Sequence, residues 1–481
     1  MLSNEKYEAV IGLEVHAQLL TKSKLFCGDS ATFGASPNTH ISPITMGHPG
    51  TLPKTNKKAV EYAIRMGLAC NCEIEKDNYF ARKNYFYPDL PKGYQISQHT
   101  TPICKGGYIT IKTNAGERNV QLNRIHMEED AGKSIHDMDD DFTCIDLNRA
   151  GTPLVEIVTE PDLFSAEEAW QYVTEIRRLV RWIGICDGNM EEGSLRCDAN
   201  VSIRLKGEKQ LGTKVEVKNL NSIRNVKKAI EYEIERMIQL VESGGKVQQQ
   251  TRSFDASNDT TFSIRDKEEA NDYRYFPDPD LAPFHLTDSF INQIKTALPS
   301  LPNELALKYQ THYGLGEYDA KQLCDEKATA DYFESVIQHT TQYKAVANWL
   351  LGPIRQYLNE VVISIETFTL EPVILADLIK LVEDGKVSFS VASSRILPVV
   401  IAENRSPLSV AENLNLLQVS DTNELETWIT AALEAMPDKV AEYKKGKKGL
   451  IGLFVGEVKK RSQGKADPKI VTQLLEQKLN K

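Results

Sequence analysis

Three stretches of this chain alternate polar and apolar residues with period two, the mark of a strand with one wet face. In Val10–Leu19, Gly12, Glu14, His16 and Gln18 fall on one side, and Leu13, Val15, Ala17 and Leu19 on the other. In Arg196–Leu205, Arg196, Asp198, Asn200, Ser202 and Arg204 oppose Cys197, Ala199, Val201, Ile203 and Leu205. In Thr213–Lys218, Lys214, Glu216 and Lys218 oppose Thr213, Val215 and Val217. The pattern predicts an antiparallel or mixed sheet. Helices interrupt it. Ser165-Ala-Glu-Glu168 is a capping box opening a helix that runs to Gly184. Asn221 or Ser222 caps a second helix that stops at Gly244-Gly245.

Beyond Pro277-Asp-Pro-Asp280 strand signals thin out, and Ala328–Asn359 and Leu375–Gly385 take helical spacing. A further break at Glu403-Asn-Arg-Ser-Pro407 opens a helical tail. The fold class expected is therefore α+β, with a mixed α/β part at 1–293, a helical domain at 294–405 and a small helical tail at 406–481. A chain of 481 residues accommodates several such domains. No window approaches the roughly 18 apolar residues of a membrane span, and Met1–Tyr7 lacks the apolar core of a signal peptide. A cytoplasmic location without membrane contact is expected.

Charge adds a second asymmetry. The whole chain carries −10, yet Lys439–Lys481 holds eleven lysines and one arginine against four acids, a net +8. A basic end on an acidic body suits an anionic partner. Lys444, Lys445, Lys447 and Lys448, with Lys459, Lys460 and Arg461, flank the apolar Leu450–Val455. Such groups around a small core can grip a phosphate backbone without reading sequence.

Candidate chemistry concentrates in the first part. Glu14 and His16 stand side by side on one strand face, about 6–7 Å apart at Cα. His126-Met-Glu-Glu-Asp130 packs three carboxylates together, and Glu156 interrupts the apolar run Pro153–Ile157. A glutamate inside an apolar strand must be paired, coordinated or at an edge. Oxygen donors with substrate phosphates suit Mg²⁺; clustered acids also occur as solvated turns. Period two does not say whether Glu128 or Glu129 points inward. Arg82–Tyr94 interleaves cations with aromatics: Lys83 and Lys92 can meet phosphate, and Tyr85 and Tyr87 can stack an unpaired base. Asp130-Ala-Gly-Lys-Ser134 imitates the end of a phosphate-binding loop, but Met127 stands where that loop needs glycine. No serine elbow or activated cysteine marks the chain as an amidase.

Taken together, Val10-Ile-Gly-Leu-Glu-Val-His16, Arg82–Asp89, Tyr94–Gln98, His126–Ser134, Asp146-Leu-Asn-Arg149, Gly151–Ile157, Met190–Ser202, Glu216–Ser222 and Asp272–Pro277 resemble the B subunits (GatB) of the glutamyl-tRNA(Gln)/aspartyl-tRNA(Asn) amidotransferases along essentially the whole chain. The resemblance implies a catalytic cradle, a helical domain and a YqeY-like tail that touches tRNA. It implies a heterotrimer with an amidase subunit and a small third subunit that wraps both partners. The implied activity is that of a carbon–nitrogen ligase using ATP and Mg²⁺. In that reaction the side-chain carboxylate of misacylated Glu-tRNA(Gln) or Asp-tRNA(Asn) is phosphorylated, then amidated by ammonia from the amidase. The resemblance implies His16, Glu129 and Glu156 as magnesium ligands, with Glu14, Asp198 and Glu216 as further acids nearby. Glu128, Lys83 and Lys92 are its implied catalytic residues, the lysines meeting phosphate or the ammonia path, and Tyr85 and Tyr87 meet the tRNA 3′ end. Where many members of the family carry a cysteine-rich zinc site after Cys27, this chain reads Ile41–Met46 without cysteine, so no zinc is expected. Two rival readings are an amide ligase acting on a free small acid and a non-catalytic tRNA-binding chaperone.

Overall fold

The computed structural model describes residues 6–266, 273–418, 422–462 and 465–480. Asp272 of the Asp272–Pro277 motif and Lys481 of the basic end lie outside them. The chain divides into two compact units at Leu301/Pro302.

The first unit is built on one long mixed sheet. Its strands are β1 (Tyr7–Gln18), β4 (Gly116–Glu129), β5 (Pro153–Thr159), β6 (Leu195–Leu205), β7 (Val215–Leu220), β8 (Gln250–Asp255) and β9 (Thr260–Asp266); β2 (Ala81–Asn84) and β3 (Tyr94–Ser97) form a smaller sheet with Phe276–Pro277. The order across the large sheet is β9-β8-β7-β6-β1-β5-β4, continued by two short strands. All pairs between these seven strands are antiparallel except β7–β8, where Glu216 lies level with Thr251 in parallel register.

The period-two reading of the sequence holds along β1. Leu13, Val15 and Ala17 are fully buried, and Glu14, His16 and Gln18 alternate with them on the wetter face. Burying a leucine or valine side chain in this way contributes about 1.5–3 kcal/mol. On the buried face lie α1 (Lys57–Ala69) and two longer helices, α2 (Ala166–Trp182) and α3 (Ile223–Glu242). Their starts are those the caps predict. Ser165 Oγ accepts from Glu168 N at 3.1 Å, and Ser222 Oγ, not Asn221, accepts from Asn225 N at 3.1 Å. The return arm of the first capping box lands one residue early, Glu168 accepting from Phe164 N at 2.8 Å.

The second unit is helical. The Tyr343–Val361 helix is interrupted at Leu350–Ile354, where Pro353 lacks the N–H that the ladder needs and the backbone widens into a π turn. At the end of the unit, Phe454, Leu425, Ile429 and Leu475 close a small core of their own. Lys444, Lys445, Lys447, Lys448, Lys459, Lys460 and Arg461 are all exposed around that core. Several are engaged locally: Lys447 with Glu442 at 3.1 Å and Arg461 with Glu457 at 2.9 Å. Among the described residues no helix is long and apolar enough to cross a membrane.

Candidate active site

Strand pairing decides which side chains meet. On the wet face, His16 stands between Arg196 on β6 and Glu156 on β5, and Glu156 stands level with His126 on β4. Glu14 lies beside Asp198, and Asn200 beside Glu216. Residues drawn from both ends of a span of about 200 positions thus form two adjacent rows across five strands. They line a cleft of about 1130 Å³, whose rim is formed in part by Lys83, Tyr85, Tyr87, Tyr273 and Tyr275.

The first row gathers His16, Glu128 and Glu156, whose ligand atoms all lie within 4.8 Å of one another. His16 Nε2 is 3.8 Å from Glu128 and 3.6 Å from Glu156; His126 Nε2 is 3.7 Å and 3.2 Å from the same two carboxylates. Burial pulls both imidazoles down, but the carboxylates outweigh it. Glu156 and Glu128 hold His126 up at about 9 and also raise His16. Burial pushes Glu156 up, yet His126 and His16 bring its carboxyl well below the usual range. The row is therefore an anionic cluster that favours the charged form of the imidazoles beside it.

The ligand atoms of the second row, Glu14, Asp198 and Glu216, also lie within 4.8 Å of one another. Lys218 Nζ bonds Asp198 at 2.5 Å and lies 3.5 Å from Glu216. Asn200 donates to Glu14 at 2.9 Å and Thr251 to Glu216 at 2.8 Å.

Glu129 is a correction to the ligand set expected from the sequence. Adjacent strand residues face opposite ways, and Glu128 takes the cleft side. Glu129 is 1% exposed on the other side, where Lys92 Nζ bonds it at 2.6 Å and the Ile96 N–H at 2.8 Å. It lines a separate cavity of about 230 Å³ with Lys92, Lys24 and Cys27. Glu128, expected as a catalytic residue, is the one grouped with His16 and Glu156 instead. Lys92 shares the small cavity with Glu129. Lys83 stays at the large cleft, its ammonium 4.7 Å from the centre of the Tyr273 ring. Tyr87 is half exposed at the rim, edge-on to the more enclosed Tyr85.

Several neighbours carry no mark of their own in the sequence. His126, Asn200, Lys218 and Thr251 are legible only as polar members of strands. Tyr275, stacked on His99 at 4.0 Å, is marked only by its place in the Asp272–Pro277 motif.

Comparison with known proteins bears on this geometry. Residues 9–292 match the GatB/GatE catalytic domain and residues 331–479 the GatB domain of YqeY type. The chain is similar to the B subunit of the aspartyl/glutamyl-tRNA(Asn/Gln) amidotransferase of Geotalea daltonii, 49% identical over 98% of this chain and 99% of that one. It is likewise similar to the B subunits so named in Oleidesulfovibrio alaskensis, 49% identical over 98% and 99%, and in Thermosynechococcus vestitus, 47% identical over 98% and 97%. With both domain matches and near-complete coverage at this identity, the chain belongs to the family of aspartyl/glutamyl-tRNA(Asn/Gln) amidotransferase B subunits.

Proposed function

We propose that this chain is the amide-forming subunit of a tRNA-dependent amidotransferase, acting in the cytoplasm with an amidase partner and a small third partner. The cleft takes ATP and the aminoacyl end of Glu-tRNA(Gln) or Asp-tRNA(Asn). The observation that carries this reading is the paired rows of acids in one cleft, His16-Glu128-Glu156 beside Glu14-Asp198-Glu216. A set of carboxylate oxygens with one imidazole fits Mg²⁺, which takes few protein ligands and keeps room for phosphate oxygens. Magnesium, when bound, supplies charge neutralisation for a triphosphate.

The chain's own residues supply position and shielding. The substrate's side-chain carboxylate is a poor electrophile. One of its oxygens attacks the γ-phosphorus, ADP leaves, and an acyl phosphate results. Ammonia then adds at the carbonyl carbon and inorganic phosphate leaves, giving the amide. No protein nucleophile is needed. Lys83 at the rim supplies charge near the phosphates, and Tyr85 and Tyr87 offer ring faces to the 3′-terminal bases. Lys92 and Glu129, in the smaller cavity, stand on the proposed route of ammonia. The basic tail touches the tRNA body through phosphates.

The test is conversion of Glu-tRNA(Gln) or Asp-tRNA(Asn) to the amidated form by the assembled heterotrimer. Conversion should require ATP, Mg²⁺ and glutamine, and should collapse in Glu128→Ala and His16→Ala. Near-wild-type turnover in both variants would remove the cleft from the reaction. Turnover of ATP also separates this reading from a passive tRNA chaperone.

A further inference from the structure

The acids of the cleft can hold cations and, through them, phosphates, but the substrate brings a negative group of its own, and the wet face offers a place for it on β4. On β4 the alternation that buries Val120 and Leu122 would also bury position 124. It does not, because a bulge intervenes: Leu122 pairs with Thr159, but Arg124 pairs with the adjacent Val158, leaving Asn123 as an extra residue. The phase reverses. Ile125 and Met127 become core, and Arg124, His126 and Glu128 line the cleft together. Bulges beside functional sites commonly re-aim a side chain in this way.

Among the described residues the Arg124 guanidinium has no ion pair, and its Nε is buried with no hydrogen bond. The other cleft cations differ. Lys218 is held by Asp198, Arg196 by Asp130 at 2.9 Å, and Lys83 rests on an aromatic face. His126, 4% exposed and next on the same face, also leaves its Nδ1 buried and unbonded. An arginine with a buried unbonded donor costs free energy unless something supplies the acceptor. Burial, then the Arg124 charge, lowers the pKa of His99, whose ring stacks flat against Tyr275 on the wall of the same cleft. The corner is thus a positive, planar fork walled by rings, at the rim where aromatic side chains gather.

We propose that Arg124 is the residue that binds the side-chain carboxylate of the aminoacyl group, and that it discriminates the acidic substrate from the amide product. This rests on the proposed function of the cleft. The guanidinium fork matches a carboxylate with two parallel N–H donors. The product amide places a donor NH₂ against one of those N–H groups, so product is held less tightly and leaves. The carboxylates of the rows are left to the cation that accompanies the nucleotide phosphates, and Arg124, on β4 beside His126, is left to the incoming acid.

The test uses the assembled heterotrimer, with filter binding of Glu-tRNA(Gln) and of Gln-tRNA(Gln) in the absence of ATP, followed by steady-state kinetics. The intact complex should bind the acidic form more tightly. Arg124→Gln should bring the two affinities together and raise KM for Glu-tRNA(Gln) by about tenfold to a hundredfold, the range for one charged hydrogen-bonded pair. KM for ATP should stay within about twofold. Arg124→Lys, which keeps charge but not the fork, should fall between. Glutamine hydrolysis by the amidase partner reports assembly of each variant, and Arg124→Lys carries the measurement if the glutamine variant does not assemble. The inference is overturned if the preference for the acidic form survives in both variants, or if KM for ATP rises while that for Glu-tRNA(Gln) does not. The latter outcome would place Arg124 on phosphate. Failure of the intact complex to make amide at all would strike the proposed function itself, before any variant is compared.

Discussion

Glu128 and Glu129 are neighbours in sequence with opposite surroundings, so replacing each by glutamine should produce opposite results. Glu129 is paired with Lys92 at 2.6 Å, with both side chains largely buried. At an effective dielectric of about 20, two unit charges at that separation attract by about 6 kcal/mol, before desolvation is subtracted. Glu129→Gln leaves Lys92 without its counter-charge and keeps the Ile96 N–H contact. Breaking one side of such a buried pair costs about 3–5 kcal/mol. Glu128 is different. Its nearest charged neighbours are two imidazoles at 3.7–3.8 Å, and Glu156 holds the same two at 3.2–3.6 Å, so they keep a counter-charge without it. Glu128→Gln should therefore leave stability within about 1 kcal/mol.

Divalent-cation binding should reverse the ranking. Loss of an outer partner of a metal ligand typically weakens binding by about 10–100-fold. Loss of one of the three donors His16, Glu128 and Glu156 should weaken it by at least about a hundredfold. Glu129→Gln, which touches none of them, should change it by less than about threefold. The assay is Mn²⁺ titration followed by its paramagnetic signal, run beside urea denaturation of the same proteins. A loss of Mn²⁺ affinity in Glu129→Gln equal to that in Glu128→Gln would refute the assignment of the two faces.

Three more outcomes follow from named contacts. Burial pushes Asp130 up, but Arg196 and Arg149, with Gln18 donating at 2.6 Å, bring its pKa below the ordinary value. A depressed carboxyl contributes stability above its unfolded pKa near 3.9 that is lost as pH falls through the folded value. Arg196→Met should accordingly move the acid-unfolding midpoint, read by circular dichroism, to higher pH. In the tail, Phe454 is fully buried at the centre of its cluster, so Phe454→Ala should cost about 3–5 kcal/mol by thermal or urea melting. Replacing Lys459, Lys460 and Arg461 together by glutamine should flatten the log–log dependence of tRNA affinity on salt by about 2–3 units, as three phosphate contacts require; an unchanged slope would detach these residues from the RNA.

How much of this was legible in the sequence depends on whether the pattern carried its own phase. In β6 the alternation is unbroken over the ten residues Arg196–Leu205, and in β1 over the nine from Ile11 to Leu19, so Glu14, His16 and Asp198 could each be placed on the wet face of their strand from spacing alone. The capped starts of α2 and α3 were equally local. β4 was not legible in the same way. Val120 and Leu122 set one phase and Ile125 and Met127 the other, and the switch is a bulge that only pairing with β5 fixes. Extrapolated from the first half, the phase turns Glu129 toward the cleft; counted from Ile125 and Met127, it turns Glu128 there. Meetings between strands, such as His16 with Glu156, depend on register between segments some 140 residues apart, which no local pattern encodes.

That bulge links two chambers. Because β4 presents Glu128 to the large cleft and Glu129 to the small cavity, a one-residue slip would exchange their carboxylates between the His16–Glu156 cluster and the lysine pair. The strand end is correspondingly pinned. The Glu129 carbonyl accepts from Gln95 at 2.7 Å, its carboxylate from Ile96 at 2.8 Å, and Asp130 is held by Gln18 and Arg196. These bonds come from three different strands, β3, β1 and β6, and converge on two consecutive residues. The buried polar groups there do little for net stability compared with an apolar alternative. What they fix is phase, and phase determines that the end of one strand serves an anionic pocket on one face and a buried lysine on the other.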